Sequence, residues 1–519
     1  MTKQAIRKKI LWVDDEIDSL KSHIFFLEKR GFELTTAMSG DDAVVKVQHE
    51  TFDLVLLDEM MPGKDGLATL EEIKDIHPHL PVVMVTKSEE ESLMDDAIGQ
   101  KIDDYLVKPV NPSQVLLVIK RLLESGKIIS GSSMKRYIAE INRFNEKLYG
   151  TVSPEDWQEA GRILASWNLE LDVTSDTGLE QLLDGTRREW NNVFAKYIEN
   201  NYRGWLFSDK RPVLSPDVAA KYVVPLLKRE KKVLFIVVDC MRLDQWMQVE
   251  PLLAEYYNIR RETYLSLLPS ATPFARNALF AGLFPDEINR AYPDNYSSRD
   301  EGSLNRNEER LFADNLARNG LRYDRKLRYV KIFDNTEGEV LAKRIADFFD
   351  SPIVALVFNF LDILSHGRSN NVILREIAGT DAAFRSLMKS WFVHSPLFAI
   401  LKAFAARDFT VVITSDHGSV LCQQGTMAHG KRSTSSNLRY KYGDNLKSDP
   451  KHSILIKNPD EWRLPQLSIA TTYIIAKEDY YFVYPNNYNE MVRQFQNSFQ
   501  HGGISLEEMV VPLAVLTPK

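Results

Sequence analysis

Short apolar runs alternate with helical patterns over the first 125 residues. The runs are Ile10–Val13, Leu34–Thr36, Leu54–Leu57, Val82–Val85 and Tyr105–Val107. Five strands spaced by helices predict βαβ units and a parallel sheet, whose chemistry collects at the carboxyl ends of the strands. Over residues 126–208 no strand pattern appears, and Met134–Leu148, Pro154–Asn168 and Leu179–Asn201 predict three helices. Ser153 reads as an N-cap with proline at the first helical position. Trp157, Trp167, Trp190 and Trp205 are expected to form the core of this helical bundle connector, which lacks the low complexity of a flexible linker. From residue 209 to 519 the βα pattern resumes. Val233–Val238, Ile353–Phe360 and Phe409–Thr414 predict buried strands, each ending in residues capable of chemistry, and Val510–Leu516 predicts a final strand. The polar stretches Gly282–Arg328 and Gly425–Leu467 read as loop-rich and suited to cover a site. The fold class is α/β multidomain: a (βα)5 domain over 1–125, the connector over 126–208, and a larger α/β domain over 209–519.

Length agrees with this division, since 519 residues correspond to about three domains at roughly 150 residues each. Lys and Arg number 65 against 72 Asp and Glu, a net charge of -7, so binding DNA through bulk basicity is excluded. No helix-turn-helix pattern or basic recognition helix follows residue 125. The two cysteines, Cys240 and Cys422, sit beside apolar runs and fit reduced core residues of a cytoplasmic protein rather than a disulfide framework. No apolar run approaches the roughly 20 residues of a membrane helix, and the N-terminus has no signal-peptide h-region.

In the first domain Asp14 and Asp15 follow the first strand and Asp58 the third, while Thr86 ends the fourth and Lys108 the fifth. Three converging carboxylates need a hard cation such as Mg²⁺. A carboxylate there can attack a phosphoryl donor to form an acyl phosphate, whose oxygens Lys108 and the Thr86 hydroxyl would contact. These residues, with the run Leu57-Asp58-Glu59-Met60-Met61-Pro62, Gly66 and Lys108-Pro109, resemble the receiver domain of bacterial response regulators over residues 8–125. The resemblance implies that Asp58 accepts phosphate from a cognate histidine kinase. It also implies that Asp15 and Asp58 hold Mg²⁺ with Asp14 acting through water, that Tyr105 is the rotating aromatic of the switch, and that Lys108-Pro109 is cis.

Distant segments of the last domain carry ligand-type residues: Asp239, the turn Pro269-Ser270-Ala271-Thr272-Pro273 before an expected helix, Asp362 with His366, Asp416-His417-Gly418, and His501-Gly502-Gly503. Asp362 and His366, four apart, share a face of a helical turn. Asp416 and His417, being adjacent, point in different directions, which fits two metals in one cleft. A mixed oxygen and nitrogen set suits Zn²⁺, with Mn²⁺ second. A threonine hydroxyl becomes a useful nucleophile once a metal lowers its pKa, and the helix after Thr272 would aim free N–H groups at a phosphate. Together the blocks resemble the alkaline phosphatase superfamily, and most closely its PglZ-type domain, from about residue 212 to 519. The resemblance implies one metal on Asp239, Thr272, Asp416 and His417, with Thr272 the nucleophile, and another on Asp362, His366 and His501. It also implies phosphate ester hydrolysis through a phospho- or nucleotidyl-threonine. His429-Gly430 rivals His501 for the last ligand place, and His429 is otherwise a candidate substrate contact. Its loop carries Lys431, Arg432, Arg439 and Lys441, which read as either a solvated face or a funnel for a polyanion. Arg276, four after Thr272, is a candidate phosphoryl clamp.

Receiver, helical connector and PglZ-type domain in this order resemble PorX-type response regulators of Bacteroidetes, a family linked to type IX secretion. The expected function is a phosphorylation-controlled, zinc-dependent phosphodiesterase or phosphatase acting on nucleotides or oligonucleotides. Phosphorylation of Asp58 is expected to form a homodimer through the face after Thr86 that includes Tyr105, with the signal carried along the connector. The alternative is a phosphorylation-gated interaction protein with a catalytically silent PglZ-type domain and a sigma factor or secretion component as partner.

Overall fold

The computed structural model describes residues 8–78, 80–86, 102–123, 131–148, 150–174, 177–296, 304–322, 326–370, 377, 379–430, 435, 437–485 and 488–519. The chain forms two compact units: residues 1–139 with 175–186, and residues 140–174 with 187–519.

In the first unit, strands β1 (Lys8–Val13), β2 (Phe32–Ala37), β3 (Leu54–Asp58), β4 (Val82–Thr86) and β5 (Asp104–Val107) form a parallel sheet ordered β2-β1-β3-β4-β5. The strands are apolar on both faces because helices cover both. Ile10, Trp12, Leu54, Leu56, Val83 and Val85 pack with Leu27 of helix Lys21–Glu28 and Val115, Leu116 and Ile119 of helix Pro112–Leu123. Leu11, Val13, Val55, Leu57 and Val82 turn the other way, toward Ala43 and Val47 of helix Gly40–His49 and Leu70 and Ile73 of helix Gly66–Ile76.

The predicted connector helices span Gly131–Leu148, Pro154–Thr174 and Thr177–Trp205. Ser153 caps the second as expected. Asp156 N–H donates to Ser153 Oγ at 3.2 Å and Ser153 N–H donates to the Asp156 carboxylate at 2.9 Å, a reciprocal cap. Trp157 and Trp190 are fully buried and pack on Phe144, with ring centroids 6.2 and 4.4 Å away. Trp167 is buried and Trp205 half-buried.

The second unit is built on a six-stranded sheet. Its strands are β6 (Lys232–Val238), β7 (Tyr257–Leu265), β8 (Leu327–Ile332), β9 (Ile353–Phe358), β10 (Phe409–Thr414) and β11 (Val510–Pro518), in spatial order β7-β11-β10-β6-β9-β8. β10, β6, β9 and β8 run parallel, so the ends of β6, β9 and β10 meet along one edge, where Asp239, Asn359 and Asp416 follow them. β11 and β7 add an antiparallel border. The two stretches expected to be loop-rich hold more regular structure than anticipated. Residues 282–328 include helices Pro285–Ala291 and Glu308–Arg318, and residues 425–467 include strand Tyr440–Asp444 and strand Ser453–Ile456, which pair with Thr471–Ala476. Among the described residues no helix is long and apolar enough to cross a membrane.

A buried charge network fixes the segment that leaves Asp239. Arg242 grips Asp244 with Nε and Nη2 at 3.0 and 2.9 Å, and Arg385 Nη1 reaches the same carboxylate at 3.0 Å. Arg385 also holds Asp172 of helix Pro154–Thr174 at 2.6 Å. Burial works to raise the Asp244 pKa, but Arg242 and Arg385 outweigh it and hold it below the usual carboxylate range. A folded-state pKa below the unfolded one adds stability above the unfolded value, lost as pH falls through the folded one. In denaturant titrations, wild type should therefore exceed Asp244→Asn by a constant margin above about pH 5 and by a shrinking margin below about pH 4.

Candidate metal centres and phosphorylation site

In the first unit, the three carboxylates gather as the strand ends require. Ligand atoms of Asp14, Asp15 and Asp58 lie within 4.8 Å of one another. Lys108 Nζ donates to Asp14 and to Asp58, each at 2.9 Å. Burial pushes the Asp58 carboxyl up against the pull of Lys108, and Asp14 and Asp15 add to the rise. Gly66 is demanded by a close approach: a Cβ there would meet the Asp58 carbonyl oxygen at 2.4 Å. Thr86 ends β4 beside Val107, and Lys108-Pro109 is cis. Tyr105 stands 42% exposed on β5.

In the second unit, Thr272 opens helix Thr272–Ala281, whose N-cap Ala271 contributes no side-chain cap. The Thr272 hydroxyl lies 3.3 Å from Asp239 Oδ1 and 3.0 Å from His417 Nε2. His417 Nδ1 donates to the Gly418 carbonyl at 3.0 Å, which places the proton on that nitrogen and leaves the Nε2 lone pair facing Thr272. His417 Nε2 stands 3.6 Å from both Asp239 Oδ1 and Asp416 Oδ2. A second triad adjoins the first, the His417 and His501 rings stacking with centroids 4.2 Å apart. In it His366 Nε2 and His501 Nε2 are 3.0 Å apart, and Asp362 Oδ1 lies 3.4 and 3.3 Å from them.

These triads fit metal ions on two counts. Ligands about 2.0–2.2 Å from a tetrahedral ion stand roughly 3.3–3.6 Å apart, and the separations cluster about that range. Asp416 Oδ2 and Asp362 Oδ1 are buried with no hydrogen-bond partner, although buried carboxylate oxygens normally find one. Burial pushes the Asp239 carboxyl up to about 7 against the pull of Arg276, and Asp416 adds to the rise. Burial likewise raises Asp416. Cations between the ligands would relieve that cost.

The candidate substrate contacts fall out differently. Arg276 is only 3% exposed and does not face open space as a phosphoryl clamp. Its guanidinium donates to Asp239 Oδ2 at 2.5 Å, Glu308 Oε1 at 2.6 Å and Asn359 Oδ1 at 3.0 Å, so it orients Asp239 instead. His501, not His429, joins Asp362 and His366, while His429 ends strand Gln424–His429 exposed to solvent. Neither reading of the basic loop, solvated face or funnel, holds for two of its residues. Arg439 and Lys441 are fully buried, Arg439 on Glu508 and Lys441 on the carbonyls of Ser435 and Asn437. Lys431 and Arg432 lie outside the described residues. Sequence reasoning missed Glu308, which joins Arg276 to Lys331 at 2.7 Å, and Asn305, whose amide donates to the Thr272 carbonyl at 3.1 Å. The available signal was the amphipathic spacing of Leu311, Phe312 and Leu316 after Glu308, inside a stretch otherwise read as loop.

Comparison with family models matches residues 218–516 to the BREX system PglZ alkaline phosphatase-like domain, residues 10–120 to the response regulator receiver domain, and residues 127–206 to the PorX response regulator linker domain. The transcriptional regulatory protein ResD of Bacillus subtilis is 37% identical over 120 residues, 23% of this chain and 50% of ResD. The alkaline phosphatase synthesis transcriptional regulatory protein PhoP of the same organism is 34% identical over 130 residues, 25% of this chain and 53% of PhoP. The chain thus spans about half the length of these curated relatives. Among solved structures, a CheY-like receiver domain protein from Methanospirillum hungatei is 32% identical, with a TM-score of 0.23, covering 23% of this chain and 96% of that one. The receiver domain of NtrX from Brucella abortus is 37% identical, with a TM-score of 0.22, covering 22% and 99%.

Removing Arg276 would strand Asp239 as a buried carboxylate and leave Glu308 to Lys331 alone among the cations. Arg276→Met is expected to destabilise the metal-free protein by about 3–5 kcal/mol, read as a lower midpoint in urea, with Arg276→Lys recovering only part of the loss.

Proposed function

This chain belongs to the PorX-type response regulators that carry a PglZ alkaline-phosphatase-like domain, and we propose that phosphorylation of its Asp58 controls a zinc-dependent phosphodiesterase or phosphatase centred on Thr272. A receiver domain implies a phosphodonor such as a histidine kinase, and both domain types are users of metal ions. The finer reading divides the chain into a receiver over 1–125, a connector over 126–208 and an effector over 209–519, in a cytoplasmic protein whose two cysteines are free and buried.

Asp15 and Asp58 would hold Mg²⁺, with Asp14 acting through water. Asp239, Thr272, Asp416 and His417 would hold one Zn²⁺, and Asp362, His366 and His501 the other. Zinc would supply Lewis-acid stabilisation and a lowered pKa for the Thr272 hydroxyl. Thr272 Oγ1, its proton lost to solvent, would form the new bond to phosphorus as the bond to the ester oxygen breaks and that oxygen takes a proton from water, giving a phospho- or nucleotidyl-threonine that water then cleaves. At the start of helix Thr272–Ala281 the Thr272 N–H would face the phosphoryl oxygens, since Pro273 has no N–H and Phe274 and Ala275 donate to the Ala271 carbonyl at 3.0 and 2.9 Å. Asp239 keeps its orientation toward Thr272 because Arg276 occupies its other oxygen. The observation that carries this reading is the pair of ligand triads, at metal-ligand separations, with the Thr272 hydroxyl on one of them.

Nucleotides or oligonucleotides are the substrate class of this reading. A homodimer formed through the receiver face that carries Tyr105 belongs to it as well, supported by the exposure of that ring. So does the family's link to type IX secretion, with a sigma factor or secretion component as partner.

Zinc-loaded wild type should hydrolyse bis-p-nitrophenyl phosphate, and Thr272→Ala should lose about three orders of magnitude in kcat/KM. If wild type shows no turnover above the variant, the enzyme reading falls and the silent interaction regulator replaces it. Asp58→Asn should abolish phosphate incorporation from acetyl phosphate while leaving the basal diester hydrolysis of the unphosphorylated chain in place.

A further inference from the structure

The candidate ligands His417 and His501 come from segments far apart in the chain, yet both lean on one short helix, Leu506–Met509. On the His417 side, Gly418 N–H donates to the Glu508 carbonyl at 2.9 Å, and a Cβ on Gly418 would lie 2.0 Å from the Glu507 carbonyl oxygen. The two backbones therefore touch, and only glycine fits between them. On the His501 side, Gly503 N–H donates to Glu508 Oε1 at 2.8 Å. That carboxylate is held by Arg439 through Nε at 3.1 Å and Nη2 at 2.5 Å, and Ser505 Oγ adds a bond at 2.7 Å. The helix is thus a shared abutment for both ligand segments.

The abutment is in turn fastened by the connector. Asn191 of helix Thr177–Trp205 is 4% exposed. Its Oδ1 accepts from Leu506 N–H at 2.7 Å, satisfying a first-turn donor that has no partner within its own helix. Its Nδ2 donates to Glu507 Oε2 at 3.0 Å, and Arg187 Nε, one turn earlier, stands 3.2 Å from Glu507 Oε1. Neither Asn191 nor Glu507 belongs to a ligand triad. Their effect on the centre runs through the backbone of residues 505–509.

We propose that Asn191 and Glu507 are positioning residues through which the connector sets the metal affinity of the two-ion centre. The inference rests on the zinc reading above and adds that the effector's ligands are complete only while the connector grips Leu506 and Glu507. Loss of the grip frees Leu506–Met509 to shift, and Gly418 and Gly503 shift with it. The Nε2 atoms of His417 and His501 then lose their separations from Asp239, Asp416 and Asp362. Outer contacts of this kind change metal affinity by roughly 10–100-fold.

The test uses the full chain and zinc in competition with a chromogenic chelator, with thermal unfolding of the metal-free protein in parallel. Wild type should bind two zinc ions per chain. Asn191→Ala should bind at least one of them about 10–100-fold more weakly while the metal-free protein still unfolds cooperatively. Wild-type affinity at both sites in a folded Asn191→Ala would overturn the proposal. So would a lowered unfolding midpoint with zinc affinities unchanged, the pattern of a purely structural residue. Should Asn191→Ala fail to fold, Glu507→Gln decides: it keeps the side-chain shape, removes the charge facing Arg187, and should weaken zinc by about tenfold. Failure of the metal reading itself is distinguishable, because it appears in wild type as fewer than two zinc ions bound.

Discussion

The second unit is organised around a repulsion that its own side chains do not cancel. Asp239, Asp362 and Asp416 are drawn into one cleft because β6, β9 and β10 run parallel and end on the same edge. Buried like charges raise one another's pKa and disfavour the folded state unless cations answer them. The nearby guanidinium of Arg276 is shared between Asp239 and Glu308, and Glu308 in turn faces Lys331. One positive group divided in this way does not neutralise both Asp239 and Asp416, whose carboxyls burial pushes up. Asp362 is answered within the protein: against its burial, His366 and His501 hold it well below the usual carboxylate range. Burial lowers the pKa of His417 and His501. The Asp239 and Asp416 side of the cleft is the part left to attract a cation.

Much of this was legible in the chain because the relevant signals are local. Buried parallel strands read as continuous apolar runs, and the residue after such a run is where a parallel fold exposes chemistry. Asp58, Asp239 and Asp416 were found that way, and Asp362 with His366 by helical spacing. β7 and β8 were not found, for a related reason. They border the sheet, where charged residues such as Arg260, Arg261, Arg328 and Lys331 are tolerated, so neither shows an apolar run. Arg439 and Lys441 resisted sequence reasoning for another reason. A charge run usually means a solvated face, and nothing near them reveals that Glu508 and a pair of backbone carbonyls bury them. Arg276 was placed on the correct helix face but given the wrong partner, because Glu308 and Asn359 reach it from 32 and 83 residues away.

The two acidic pockets share a strand-end origin and differ in how they hold their fixed cation. In the first, Lys108 bridges Asp14 and Asp58 from a flexible stem. An ammonium that rotates about several bonds can follow a carboxylate whose charge and shape change on phosphorylation. In the second, the planar guanidinium of Arg276 is locked between carboxylates, and buried forks of this kind keep their geometry. On the function proposed here, the first pocket has a charge suited to a residue that is itself modified, and the second has one suited to a residue that must stay still while a neighbouring hydroxyl reacts.

The donor atoms carry the contrast to the ions. The first pocket offers three carboxylates and no imidazole, a set that suits a small hard cation retaining much of its water. Each triad of the second offers at least one imidazole at close range, which favours a softer ion of tetrahedral habit. Magnesium gains little from imidazole nitrogen, and zinc gains less from an all-oxygen site than from a mixed one. On the function proposed here, the switch and the effector would therefore favour different metal ions. This separation would let a phosphorylation signal and a hydrolytic centre reside in one chain while remaining independently loaded.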